Sequence, residues 1–503
     1  MVQPLYLRPR VEEPLASLLQ DGEFLHSLAD GLGSPLNVLV PDRAAENAAG
    51  FLATYRRHHL AGKVFFAHKA NRSSALVRRL AAAEPRVGVD VASVGELQHA
   101  LACGFTADRV MATGPKDTDF LWLAARVGAT VNVDSAGELE RLAAMVRKHG
   151  FGRVPLLLRL SEFEEEHDSG SGIRVLSRRS RFGTPLREVG DLLSRAARHR
   201  DAVEVSGVGY HLDTVALVEK VRALERCVMV MDACLTHGLT PRAIDIGGGF
   251  GVGYVHDAAE WDRYTTALTD AVRGARPPVA WRGHGYGLRN DNGTVRGSAA
   301  LYPAHRAVSG HAYLDALLSH PTPGFGRRPA ATLLLEHLHE VYSEPGRALV
   351  DQCGLSLARV SEVRTAGNGD RDAGAEYVVR LAANSGDISL EEHGVLVDPV
   401  LIPRGPGDEP GRDAPAGVYL AGNLCLEADF LTRRKVFLPR LPRRGDLLAF
   451  VNTAGYAMDF RAHRAQRRPP ARTVAVQRRD DGGWRWCPDE DYWPVTGQGG
   501  ERV

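Results

Sequence analysis

Between Val64 and Ser343, short apolar runs of β-favouring residues recur eight times, and this rhythm constrains the fold more than anything else in the chain. The runs are VFFAHKA (64–70), VGVDVAS (87–93), RVMATGP (109–115), TVNVDSA (130–136), PLLLRLS (155–161), EVSGVGYHL (204–212), AIDIGGGF (243–250) and a last one near His339 to Ser343. Stretches with helical spacing and good helix formers lie between them, such as Gly95 to Cys103, Ala136 to Lys148, Thr184 to Arg198 and Thr214 to His237. Eight strands alternating with helices predict an α/β fold of the (β/α)8 barrel type rather than an open doubly wound sheet. In such a barrel, polar residues at the C-terminal strand ends face the active site. Here those positions are Lys69, Asp90, Ser93, Arg159, His211, Gly247 to Gly249 and Glu344 to Arg347.

The rhythm breaks after about residue 355. LARVSEVRTA, AEYVVRLAA, GVYLAGNLCLEAD and GDLLAFVNTAG alternate in hydropathy between Gly, Pro and Asp, the pattern of antiparallel strands. The expected partition is an N-terminal segment, 1–55, contributing to a β-rich domain; a barrel, 56–354, carrying an insertion at about 276–329; and the β-rich domain, 355–503. Loops as long as that insertion are either surface elaborations or active-site lids. The tail from Arg467, with its RRPPA run and Gly/Arg-rich end, reads as peripheral.

With 503 residues the chain is long enough for two full cores. Its 62 Lys+Arg against 61 Asp+Glu leave no net field to attract nucleic acid or an anionic membrane, so small-molecule chemistry is the default. No run is long enough to span a bilayer and the N-terminus lacks a signal-peptide core, which reads as a cytoplasmic protein. The six cysteines form no C-x-x-C pair, and EHLHE (336–340) lacks the spacing that places two ligands on one helical face, so no metal site is expected.

Taken singly, the polar residues at the barrel mouth are ambiguous. Lys69 after an apolar run is most often a strand-end charge reaching for water; the alternative is an amine that forms a Schiff base with a carbonyl compound or with pyridoxal phosphate (PLP). GGGFGVG (247–253) is either a tight βα turn or a phosphate cradle, and it fits neither the dinucleotide nor the Walker spacing. EPGR (344–347) is a capped turn or a phosphate fork beside a ring-nitrogen partner. His211 alone is a core histidine as readily as a catalyst.

Together these stretches resemble the fold type III PLP-dependent decarboxylases, the group of diaminopimelate, ornithine and arginine decarboxylases, from about Pro35 to Phe460. FAHKAN resembles their lysine motif, VDVASVGEL their Asp-x-Ala-Ser-x-x-Glu segment, SRFG (180–183) their Lys-Phe-Gly, GYHLDT their stacking-histidine motif, and DIGGGF and EPGR their phosphate and ring-nitrogen motifs. The resemblance implies an alanine racemase-like barrel holding PLP. Lys69 would condense with the cofactor aldehyde, and His211 would stack on its ring. Gly247, Gly248, Gly249, Gly346, Arg347 and Thr214 would hold the phosphate with help from Tyr456. Asp90 and Arg159 would line the site, and Glu344 would face the pyridine nitrogen. GNLCLEAD (422–429) resembles the family's Cys-x-x-x-Asp segment. Cys425 would then enter a partner subunit's site as proton donor and Asp429 would pair with Arg181 across a homodimer interface.

Two departures touch substrate and phosphate contacts. Relatives acting on diamino acids carry an acid directly after the cysteine; here Leu426 stands there, with Glu427 one further on. Tyr456 lies one position earlier than the family's tyrosine. The implied activity is decarboxylation of a small-molecule amino acid or amino-acid conjugate through a Schiff base and a quinonoid intermediate. An amino-acid racemase or epimerase on the same barrel is the alternative enzyme, against which Glu344 argues; a catalytically silent homologue acting as a regulatory binding partner is the non-enzymatic one.

Overall fold

The computed structural model describes residues 4–164, 175–366, 376–405 and 414–494. Its chain divides into two compact units, one of Ala44–Gly251, Val308–Leu349 and the C-terminal residues from Tyr492, the other of Met1–Arg43, Val252–Ala307 and Val350–Asp491.

The first unit is a closed barrel of eight parallel strands: β1 (Gly62–Ala67), β2 (Val87–Val91), β3 (Val110–Ala112), β4 (Thr130–Val133), β5 (Val154–Ser161), β6 (Val203–Tyr210), β7 (Ala243–Asp245) and β8 (Glu340–Ser343). β4 pairs with β5, and β8 runs between β1 and β7, which closes the ring. The strands are buried on both faces, as parallel strands under a helical layer must be. Phe65, Met111, Leu157 and Ala243, one from each odd-numbered strand, pack as a layer in the barrel interior. Phe65 needs Gly88 beside it, because a Cβ there would lie 2.6 Å from the Phe65 ring.

Two helices start on the same device. Ser93 Oγ accepts from Glu96 N–H at 3.2 Å while Glu96 reaches back to Ala92 N–H at 2.7 Å. Ser135 and Glu138 repeat it after β4, with Glu138 N–H on Ser135 Oγ and Asp134 N–H on Glu138 Oε1, both at 3.2 Å. These reciprocal caps account for the recurrence of Asp-x-x-Ser and Asp-Ser followed by Gly-Glu in the sequence.

The second unit is built on a nine-stranded sheet. Leu36–Leu39 lies inside it, antiparallel to Gly354–Ala366 and parallel to Arg472–Arg478. The tail read as peripheral is therefore structural: Arg472–Arg478 carries Val474 and Val476 into the core and pairs onward with Trp484–Pro488. RTVAVQR alternates like any half-buried strand, but the flanking RRPP and DGG masked it. Val252–Ala307 also groups with this unit. Lys435 N–H donates to Val279 O at 3.0 Å, Ala280 bridges Arg434, and the Trp281 ring packs on Tyr419 and Phe430 at 5.0 and 5.1 Å. The stretch read as one insertion at 276–329 is thus divided, its part from Val308 onward belonging to the barrel unit. No helix among the described residues is long and apolar enough to cross a membrane.

Candidate active site

The neighbouring strands β1, β8 and β7 bring three chain segments together at the barrel mouth. Lys69 lies in the single turn His68–Ala70 after β1, Glu344 directly follows β8, and the glycine turn follows β7. Glu344 N–H donates to Gly247 O at 3.0 Å. Lys69 is exposed, and its charge acts on Asp90, Glu344 and His211.

Three buried carboxyl groups, Asp90, Asp245 and Glu344, interact with one another at the same mouth. Asp90, at the end of β2, is held above the ordinary carboxylate range by burial, against the pull of Lys69 and Arg159. Glu344 is raised well above its ordinary value, first by burial and then by Asp245 and Asp90. Burial also lifts Asp245, to about 6. Among the described residues, Asp90 Oδ1, Glu344 Oε1 and Asp245 Oδ2 meet no hydrogen-bond partner, and so each presents an unsatisfied polar atom. Arg159, half-buried on β5, lies 3.5 Å from Asp134 and over the Phe182 ring, which Arg181 covers as well.

The glycine turn requires glycine. Gly247 and Gly249 have φ of 64° and 82°, and a Cβ on Gly247 would lie 2.3 Å from Tyr210 O. Gly247 N–H donates to Asp245 Oδ1 at 2.8 Å and Gly248 N–H to His211 Nδ1 at 3.1 Å. His211 is thereby fixed as the tautomer with its proton on Nε2. His211 keeps an exposed face, and the surrounding protein with the cations Lys69, Lys220 and Arg159 pushes its pKa down, which favours the neutral ring. Gly346 is buried and Arg347 half-buried in the turn after Glu344. Thr214 has a local role: its hydroxyl donates to Glu219 Oε2 at 2.8 Å and accepts from Ala216 N–H, which opens the helix Leu217–Thr236.

Cys425, Asp429 and Tyr456 belong to the β-rich unit. Cys425 is exposed, on a loop held by Asp429. The Asp429 carboxylate, 3 % exposed, accepts from Ser385 N–H at 2.9 Å and Leu424 N–H at 2.8 Å. Both of its oxygens thus serve their own chain, a task the sequence did not disclose, while Arg181 is exposed. Cys425 N–H donates to Gln466 Oε1 at 3.1 Å. Tyr456, at φ 71°, packs between His393 and Phe460.

The mouth includes residues that motif reading passed over. Asp245 stands inside the DIGGGF string, where only the glycines drew notice. Asn132 and Ser161, on β4 and β5, carry unsatisfied buried oxygens as well. Behind Lys69, His68 Nε2 lies 2.7 Å from His99 Nδ1, and His99 Nε2 meets Ser74 Oγ at 3.0 Å and Cys103 Sγ at 3.4 Å. His99 and Cys103 are one helical turn apart, but His68 and Ser74 reach them from the turn His68–Ala70 and the start of the helix Ser74–Ala81, which no local spacing rule discloses.

Residues 50–280 match the family described as "Pyridoxal-dependent decarboxylase, pyridoxal binding domain". The chain is 31% identical over 478 residues to an uncharacterized protein, y4yA, of Sinorhizobium fredii, covering 94% of each, and 26% identical to a diaminopimelate decarboxylase of Methanothermobacter thermautotrophicus, covering 92% of each. The chain belongs to the fold type III PLP-dependent decarboxylases. Among solved structures, a diaminopimelate decarboxylase from M. jannaschii in complex with L-lysine shares the fold at a TM-score of 0.68 and 18% identity, over 90% of this chain and 89% of that one. The cofactor of this decarboxylase family is PLP, and the mouth fits it. There is an amine for an aldehyde, a buried carboxyl with one oxygen unsatisfied among the described residues for a ring nitrogen, and a glycine turn whose shape a Cβ would destroy.

Proposed function

We propose that this chain catalyses the PLP-dependent decarboxylation of an amino acid or amino-acid conjugate in the barrel mouth. The observation that carries the reading is Glu344: a buried carboxyl that interacts with Asp245, is raised well above its ordinary pKa, and has an Oε1 that meets no partner among the described residues. When bound, PLP supplies an aldehyde for the substrate amine and a ring that accepts the electron pair left by departing CO2. Glu344 Oε1 would face the ring nitrogen, and Asp245 and Asp90 favour a proton on the Glu344 carboxyl by disfavouring a further negative charge. The Lys69 Nζ is the amine that holds the cofactor and yields to the substrate. His211, neutral and locked to the glycine turn, offers a flat face against which the ring is oriented. Arg347 and the glycine turn take the phosphate. Cys425 Sγ, or Lys69 Nζ, returns a proton to the substrate Cα.

Leu426 offers no acid to a distal ammonium at the position where diamino-acid relatives carry one, and Glu427, one residue on, points its charge into solvent beside Arg282 at 3.5 Å. We infer a substrate whose far end is not a free amine. The test is a panel of carboxyl-labelled amino acids, including diaminopimelate, lysine, ornithine, arginine and their N-acyl conjugates, scored for labelled CO2. Release from a conjugate or an apolar amino acid supports the reading. Inversion at Cα without CO2 release would make the enzyme a racemase, and release from diamino acids alone would overturn the substrate class.

A further inference from the structure

Helix Leu217–Thr236 places one lysine behind the glycine turn, on the side away from solvent. Lys220 is 0% exposed, and its ammonium donates to Gly248 O at 2.5 Å. It lies over the rings of Phe250 and Tyr313, 5.2 and 5.7 Å from their centroids. A Cβ on Gly249 would come within 2.9 Å of Nζ, so the ammonium fills the space that the glycine leaves. No carboxylate among the described residues comes within ion-pair distance of it. A fully buried ammonium that donates to one carbonyl under two ring faces, with the charge of Asp213 acting on it from beyond ion-pair distance, is costly unless a further negative group completes its surroundings.

The geometry of the peptide group supplies the rest. In a trans peptide the carbonyl and the following N–H point in opposite directions. Lys220 holds the Gly248 carbonyl, and so the Gly249 N–H is aimed to the opposite side of the turn. The turn's other two glycine donors are engaged, Gly247 N–H with Asp245 and Gly248 N–H with His211. Gly249 is exposed, and its N–H meets no acceptor among the described residues.

We propose that Lys220 is a positioning residue for the cofactor phosphate: it orients the Gly248–Gly249 peptide so that the Gly249 N–H faces the phosphate, and it places a buried positive charge behind that peptide. The inference rests on the reading that the glycine turn takes the phosphate. Lys220 does not touch the phosphate itself; it acts through the backbone, as the aromatic pair and the carbonyl keep it from turning toward the mouth.

The test compares PLP with pyridoxal, which lacks the phosphate, as ligands of the apoprotein, followed by absorbance. Loss of a charged hydrogen-bonding group should weaken PLP binding by roughly 10- to 100-fold in Lys220→Met and leave pyridoxal binding at the wild-type level. Lys220→Arg, which keeps the charge, should restore part of the preference for PLP. Wild-type PLP affinity in Lys220→Met, or equal losses for PLP and pyridoxal, overturns the proposal. Gly249→Ala separates the two layers of the argument: if it keeps the wild-type preference for PLP over pyridoxal, the turn is not the phosphate site and the underlying reading fails. If Gly249→Ala loses that preference while Lys220→Met keeps it, only the role of Lys220 fails. Should Lys220→Met not fold, isotope-labelled lysine in the wild-type protein decides. The Lys220 signal must move with PLP or inorganic phosphate and stay in place with pyridoxal alone.

Discussion

Three buried, mutually interacting carboxyl groups give the site its character, and their cost should be measurable without any substrate. Asp245 rises from 3.8 to about 6, mainly through burial, so between those values the folded apoprotein binds a proton that the unfolded chain has released. Stability therefore falls as pH rises through that window, and the loss persists above it. Asp245→Asn can still accept the Gly247 N–H. It should raise apoprotein stability by roughly 1–3 kcal/mol at about pH 8 and leave it unchanged near pH 3.5, read by thermal unfolding at both values. At the chemical step, Cys425→Ala should lower kcat by on the order of 10²- to 10⁴-fold if Sγ is the proton donor, with PLP affinity intact. Lys69→Ala should abolish turnover and leave no cofactor fixed to the chain after borohydride reduction; survival of either property would remove Lys69 from its assigned role. Residues that carry a motif, such as Lys69, Glu344 and the glycines, were legible in the sequence because their chemistry demands a residue type at a strand end. Asp245 and Lys220 were not. Their roles arise from what burial does to a charge, and burial is a property of the assembled barrel.

At the scale of elements, the eight barrel strands could be read directly, since a parallel strand covered on both faces leaves an apolar run in the chain. The misreadings fell where local signals compete with long-range pairing. Arg472–Arg478 sits between Pro-rich and Gly-rich punctuation, yet it is the parallel neighbour of Leu36–Leu39, more than four hundred residues earlier. Its Val474 and Val476 belong to the core cluster that includes Leu36, Val38, Leu355 and Leu357. Each Val→Ala change there should cost about 1–3 kcal/mol, and a chain ending before Arg472 should fail to fold, because Leu36–Leu39 would lose a ladder and the core one wall. Urea denaturation of the point variants and the solubility of the truncated chain check both expectations. The assignment of Val252–Ala307 to the β-rich unit has the same origin: Trp281 is an aromatic in a Gly-rich stretch until Tyr419 and Phe430 give it a surface.

For the molecule as a whole, the question is which copy of the chain supplies Cys425 to a given Lys69. The Cys425 loop is shaped internally, with Asp429 fixing Leu424 and Ser385 and Gln466 holding the Cys425 amide, so the thiol is presented at the surface by a hydrogen-bonded loop. A thiol held out in this way serves a site on another copy if the protein is the homodimer that family resemblance implies. Two inactive variants then become informative together. In a symmetric dimer with shared sites, a hybrid of Lys69→Ala and Cys425→Ala chains has one site with both residues intact and one with neither. Random exchange makes about half of the dimers hybrids, so a mixture should regain about a quarter of wild-type activity from two nearly inactive parents. If both residues of each site came from one chain, every site in the mixture would lack one of them, and mixing would add nothing. Activity measured against the mixing ratio, after dissociation and reassociation, distinguishes the two arrangements, and sedimentation of the same samples establishes whether the copies are paired.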